Sequence, residues 1–188
     1  MKIGILGGTF NPPHIGHLIL AQEAVYQLNL NKVFFIPTNK SPHKEKDQLD
    51  PGQRLEMVKL AIEDNPKFQV LDIELKRRGI SYTVDTLEQL NRNYPEDSFY
   101  LIIGSDLANS FDKWKQPDKI KRLSQIVVAL REGVPLEIED GFKKINITQV
   151  GVSSSQIRAR IKKNKPIKYL APKAIEKYIK RNNIYKRI

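Results

Sequence analysis

Short runs of consecutive apolar residues alternate along the chain with longer stretches whose apolar positions recur every three or four residues. Residues 3–6, 33–36, 68–73, 99–103 and 126–130 are runs of the first kind and predict buried strands, with 145–150 a weaker sixth. The stretch 16–28 carries Leu18, Ile19, Ala21, Val25 and Leu28 at helical spacing. A second helix is predicted over 51–64, led by Pro51, with Leu55, Val58 and Ile62 on one face. A third starts near Ser81 or Thr83, either of which can cap it, and ends near residue 93 before Pro95. Two more helices, over 154–163 and 172–181, close the chain. Continuous apolar strands alternating with helices predict an α/β fold: an open parallel sheet covered by helices on both faces. With no repeat, low-complexity tract or linker, residues 1–188 read as one domain, the helices from about residue 153 packing onto it. At 188 residues the length agrees with that.

Composition narrows the chemistry. The absence of cysteine excludes disulfides, thiolate zinc sites, iron–sulfur clusters and a cysteine nucleophile. No apolar stretch reaches membrane-spanning length, and the N-terminus lacks signal-peptide features, so the cytoplasm is the expected location. The net charge of +11 fits either a nucleic-acid binder or an enzyme of anionic small molecules. The charge is heaviest over 158–188, yet no helix-turn-helix, zinc-finger or aromatic RNA-binding pattern accompanies it, so no nucleic-acid partner is expected.

In an open α/β sheet, ligands bind beyond the carboxyl ends of the strands. The first such loop reads Gly7-Gly8-Thr9-Phe10-Asn11-Pro12-Pro13-His14-Ile15-Gly16-His17. It is neither G-x-G-x-x-G nor a P-loop. Two glycines after a strand allow a tight turn whose N–H groups face a phosphate. If a helix begins near His14, the spacing of His14 and His17 sets both imidazoles on one face of its first turn, where unpaired N–H groups already favour anions. That combination suits a polyphosphate. Near the C-terminus, Ser153-Ser154-Ser155 precedes Arg158 by one turn, giving hydroxyls to cap a helix and a planar fork of donors.

GGTFNPPHIGH resembles the nucleotidyltransferase signature G-x-F-[D/N]-P-x-H-x-G-H, and Val152-Ser153-Ser154-Ser155-Gln156-Ile157-Arg158 resembles its second half, I-S-S-T-x-x-R. Within that superfamily the chain is most similar to bacterial nicotinate-nucleotide adenylyltransferases. The likeness runs through 37–44, Lys76-Arg77, Ser81-Tyr82-Thr83, Ile103-Gly104-Ser105-Asp106 and Trp114 to Ile184-Tyr185. One departure is Arg131-Glu132-Gly133 in place of Arg-Pro-Gly. The resemblance implies a Rossmann-like HxGH nucleotidyltransferase that moves AMP from ATP to nicotinate mononucleotide, releasing pyrophosphate, in NAD biosynthesis.

It also implies roles. His17 meets the α-phosphate, His14 the ATP phosphates, and Arg158 with Ser154 and Ser155 the β- and γ-phosphates. Gly7, Gly8, Thr9 and Phe10 line the same loop, Gly104 and Asp106 contact the ribose, and Arg131 lies near adenine. Asn39, Lys44, Tyr82, Thr83 and Trp114 form the acceptor side. Mg²⁺ arrives on ATP, with no dedicated protein metal site. The attacking phosphate, with a second pKa of about 6, is already largely dianionic, so no general base is needed. Phosphopantetheine is the rival acceptor. Preference between nicotinate and nicotinamide mononucleotide, and homo-oligomerisation, stay open.

Overall fold

The computed structural model describes residues 1–41, 49–130 and 141–186. Six strands form one parallel sheet: β1 (Lys2–Gly8), β2 (Lys32–Pro37), β3 (Phe68–Val70), β4 (Ser98–Gly104), β5 (Gln125–Leu130) and β6 (Lys143–Asn146). Their order is β3-β2-β1-β4-β5-β6. The order reverses at β1, so the loops after β1 and β4 flank a crevice at the carboxyl end of the sheet. The helices are α1 (Ile15–Leu28), α2 (Pro51–Ile62), α3 (Ile73–Arg77), α4 (Thr83–Asn93), α5 (Ser105–Ala108), α6 (Pro117–Leu123), α7 (Ser154–Lys162) and α8 (Lys173–Arg181). None is long and apolar enough to cross a membrane.

Strand alternation assigns the two cores. Ile3 and Ile5 of β1 face one side with Phe34, Ile36, Leu101, Ile103, Ile126 and Val128, under Val84, Leu87 and Leu90 of α4 and Ile120 of α6. Leu6, Val33, Phe35, Ile102, Val127 and Ala129 face the other, under α1, α2, α7 and α8. Gly4 belongs to this second side. A Cβ there would lie 2.9 Å from Leu30 and 3.0 Å from Ile102, so the strand needs glycine to let those side chains close over it.

Several predicted boundaries and faces shift. The third strand stops at Val70 because the chain turns at Asp72 into α3, whose Ile73 packs on the α4 side of the sheet. The sixth strand starts at Lys143 and ends at Asn146, where the Gln27 side chain takes over both main-chain groups: Nε2 donates to the Asn146 carbonyl (2.6 Å) and Oε1 accepts from its N–H (3.2 Å). Neither Ser81 nor Thr83 caps α4. Its N-cap is Tyr82, and the Ser81 hydroxyl instead accepts from the Asn39 N–H at 2.9 Å. The buried face of α2 is Arg54, Met57, Val58, Ala61 and Ile62, which leaves Leu55 only half-buried. In α1 the buried residues are Leu20, Ala21, Ala24 and Val25, with Leu18 and Leu28 packed at the margin of the core.

Candidate active site

The loop between β1 and α1 carries the histidine pair. His14 is the N-cap of α1, with extended backbone, so the helix does begin where the H-x-x-H spacing requires. The His14 N–H donates to His17 Nδ1 at 3.1 Å. An imidazole whose Nδ1 accepts carries its proton on Nε2 when neutral, which makes Nε2 the donor. The two rings lie with centroids 3.7 Å apart and planes 31° apart, and the Phe10 ring meets His17 edge-on at 5.0 Å. Gly16 makes room for this stack. A Cβ there would sit 3.1 Å from His14 Nδ1 and 3.3 Å from Val152.

The expected glycine turn is not there. Gly7 and Gly8 both lie within β1, and neither has positive φ; the left-handed residue is Phe10, at φ 48°. Phe10 adopts it because its ring is buried beneath Gly8, where a Cβ would come within 3.2 Å of the ring. The Phe10 side chain is therefore core, and only its main chain can reach a ligand.

Elements from the far end of the chain hold the same loop. Ser153 caps α7, its hydroxyl accepting from the Gln156 N–H at 3.1 Å. Ser154 Oγ donates to the Pro12 carbonyl (2.8 Å), and Arg158 Nη1 donates to the Asn11 carbonyl (2.7 Å) while Nη2 donates to Ser155 Oγ (3.2 Å). The two half-motifs, separated by over 130 residues, thus meet through direct hydrogen bonds.

Gly104 is the buried N-cap of α5, and Asp106 is exposed in its first turn, just past the end of β4, the strand that pairs with β1. On the other side, Asn39 follows β2. Its Nδ2 donates to the Gly79 carbonyl at 2.9 Å, and Ser81 ties it to the start of α4. Tyr82 and Thr83 are half-buried there, with Lys115 Nζ 4.4 Å from the centre of the Tyr82 ring and ion-paired to Asp85 at 3.1 Å. Trp114, half-buried, stacks obliquely on Phe111 with centroids 5.3 Å apart. The structure thus groups the described candidates into one cluster around His14, His17, Ser154 and Arg158 after β1 and another around Asn39, Tyr82 and Thr83 after β2. Lys44 and Arg131 lie outside the described residues.

Two side chains that sequence reasoning missed sit at this junction. Arg54 is fully buried, donating from Nη1 to the Thr9 carbonyl (2.9 Å) and from Nη2 to the Asn39 carbonyl (3.2 Å). One guanidinium therefore spans the loops after β1 and β2. Its signal was available, since it occupies the first position of the apolar stripe of α2. Glu74 of α3 lies beneath the acceptor side and accepts from Thr86 Oγ1 at 2.6 Å; Thr86 in turn accepts from Arg77 Nη2 at 2.9 Å. Burial pushes the Glu74 carboxyl above its usual value, against the opposing pull of its hydroxyl partners and Arg77.

The arrangement offers imidazole, guanidinium and hydroxyl donors at the head of a helix, as a polyphosphate requires. Among the described residues, no group of three or more carboxylates and histidines could hold a metal ion.

The chain belongs to the cytidylyltransferase-like family, whose model matches residues 5–160. It is 41% identical over 185 residues to the nicotinate-nucleotide adenylyltransferase of Bacillus subtilis, covering 98% of each chain. Its fold matches that of Plasmodium falciparum nicotinic acid mononucleotide adenylyltransferase. The match has a TM-score of 0.80 for the complex with APC, at 20% identity over 98% of this chain and 96% of that one. For the complex with NaAD the TM-score is 0.79, at 20% identity over 98% and 97%.

Proposed function

We propose that the chain is a nicotinate-nucleotide adenylyltransferase, joining ATP and nicotinate mononucleotide into the deamido dinucleotide with release of pyrophosphate. Whole-length identity to the Bacillus subtilis enzyme supports the reaction. The observation that carries the mechanism is the His14–His17 stack at the start of α1, with Nδ1 of His17 committed to the His14 N–H.

An acceptor phosphate oxygen attacks the α-phosphorus in line, and the bond to the bridging oxygen breaks. Pyrophosphate departs with that electron pair, and no proton need move. Catalysis then rests on alignment and on neutralising charge as it shifts towards the leaving group. His17 donates from Nε2 to the α-phosphate, and His14 and the main chain of Gly7, Gly8, Thr9 and Phe10 bind the triphosphate. Ser154, Ser155 and Arg158 hold the β- and γ-phosphates, Gly104 and Asp106 the ribose, and Arg131 the adenine side. Mg²⁺ enters as part of the ATP substrate, coordinated chiefly by phosphate oxygens.

The acceptor lies along Asn39, Lys44, Tyr82, Thr83 and Trp114. The indole offers a stacking face to the pyridine ring. The first-turn N–H groups of α4, beginning at Thr83, offer donors and a favourable dipole to its carboxylate. The enzyme works as one domain in the cytoplasm. Mass identification of the product from Mg-ATP with nicotinate mononucleotide, nicotinamide mononucleotide or phosphopantetheine tests the reading. The deamido dinucleotide as the main product supports it, and a phosphopantetheine adduct alone overturns it.

A further inference from the structure

The last turn of the chain returns to the phosphate loop. After α8, Asn183 takes up left-handed backbone (φ 50°), the Ile184 N–H donates to the Ile179 carbonyl at 3.0 Å, and the Ile184 side chain enters the α1–α8 side of the core. That reversal delivers Tyr185, itself left-handed at φ 67° and only 3% exposed. Its hydroxyl donates to Asn11 Oδ1 at 2.5 Å, across 174 residues of sequence. Left-handed backbone at a tyrosine is unfavourable and persists only where the surroundings impose it. A second tie lies nearby: the Ile15 N–H, first in α1, donates to the Leu170 carbonyl at 3.1 Å.

Asn11 is thus gripped at both of its acceptors. Its main-chain carbonyl takes Arg158 and its side-chain oxygen takes Tyr185, and the residue is itself 7% exposed. Asn11 lies between Phe10, whose ring packs on His17, and Pro12, whose carbonyl takes Ser154. Fixing Asn11 therefore fixes the approach to the histidine pair. Arg158 sits in the first turns of α7, half-buried, and must also meet phosphate under the functional reading above. Tyr185 is buried, so its bond to Asn11 is made within the core, away from solvent.

We infer that Tyr185 is a positioning residue, tethering Asn11 so that His14 and His17 are held in register for adenylyl transfer. This rests on the proposed phosphate role of the histidines, but the tether can be read without it. Tyr185→Phe removes one oxygen and leaves the ring to fill its place. Misplacement on the ångström scale lowers turnover steeply, so kcat is expected to fall about tenfold with KM for both substrates within about twofold of wild type. In the Asn11→Ala background the same change should cost markedly less than it does in wild type, because this acceptor is gone.

Hydrogen exchange over residues 9–17 gives the reading that does not need activity: it should quicken in Tyr185→Phe. Ile175→Val, under the same helix, is the stability control and should lower Tm with kcat and loop exchange unchanged. Wild-type kcat together with unchanged loop exchange in Tyr185→Phe overturns the tether. So does an equal loss of kcat in Ile175→Val. An inactive wild type with quickened exchange in Tyr185→Phe would instead sink the functional reading and keep the tether.

Discussion

His17 is the residue on which the proposed chemistry turns. Its Nδ1 is occupied by the His14 N–H, which leaves Nε2 to donate to charge developing at the α-phosphate. Removing such a preorganised donor should lower kcat about 100- to 1,000-fold while leaving the circular dichroism spectrum and Tm close to wild type. Steady-state kinetics of His17→Ala check it, and a few-fold change would refute the role. Glu74 makes a separate, pH-linked prediction. Burial raises its pKa above the ordinary 4.5, so the folded state holds this proton to higher pH than the unfolded chain does. The carboxyl therefore favours folding below the unfolded value and works against it as pH rises through the folded one. Glu74→Gln should gain in Tm relative to wild type as pH rises above the ordinary 4.5, and thermal melts showing a constant difference would contradict this. The histidines, Ser154 and Arg158 could be picked out in sequence because each sits at a fixed spacing within a motif, and the structure brings the two motifs together. Arg54 and Tyr185 stood in readable places, at the head of the α2 stripe and in the closing Ile184-Tyr185, but the carbonyls and the amide they bond lie far away in sequence, where no local pattern records them. Gly7 and Gly8 were legible as glycine but misread as a turn. The ring of Phe10, three residues past Gly7, takes the space and the left-handed backbone falls on Phe10.

Among the elements, α7 couples stability to the site. The Ser153 hydroxyl accepts from the Gln156 N–H, and the turn it caps presents Ser154 and Arg158 to the phosphate loop. Ser153→Ala should cost about 1 kcal/mol of stability by denaturant titration. It should also raise KM for ATP, because the fraying turn carries two of the loop's donors. An unchanged unfolding midpoint would show that the cap is made elsewhere. The long helices α1, α2, α4, α7 and α8 were readable because several turns of periodic pattern accumulate in each. The short α3, α5 and α6 were not: five, four and seven residues hold too few repeats, and tertiary packing decides them. The end of β6 was likewise illegible, because a glutamine from α1 terminates it.

Across the whole molecule, residues 158–188 contain twelve Lys and Arg against the single Glu176, a surplus equal to the entire net charge of +11. That segment begins in α7 at Arg158, which bonds the β1–α1 loop, and includes α8 and its exposed lysines. A basic surface beside a site for polyanions raises their encounter rate in a salt-dependent way. Thus kcat/KM for ATP should fall about threefold or more as salt rises from about 0.05 to 0.3 M, while kcat changes little. Changing Lys173, Lys177, Lys180 and Arg181 together to Gln should flatten that slope; an unaltered slope would place the steering field elsewhere. The proposed reaction is adenylyl transfer to a pyridine nucleotide whose ring carboxylate is recognised at the head of α4. The most direct measurement is pyrophosphate release with saturating Mg-ATP, comparing kcat/KM for nicotinate mononucleotide and nicotinamide mononucleotide. A preference of about 100-fold or more for the nicotinate form is predicted, the difference expected when a site built to bond a carboxylate meets an amide. Equal values, or no release with either, would contradict the account.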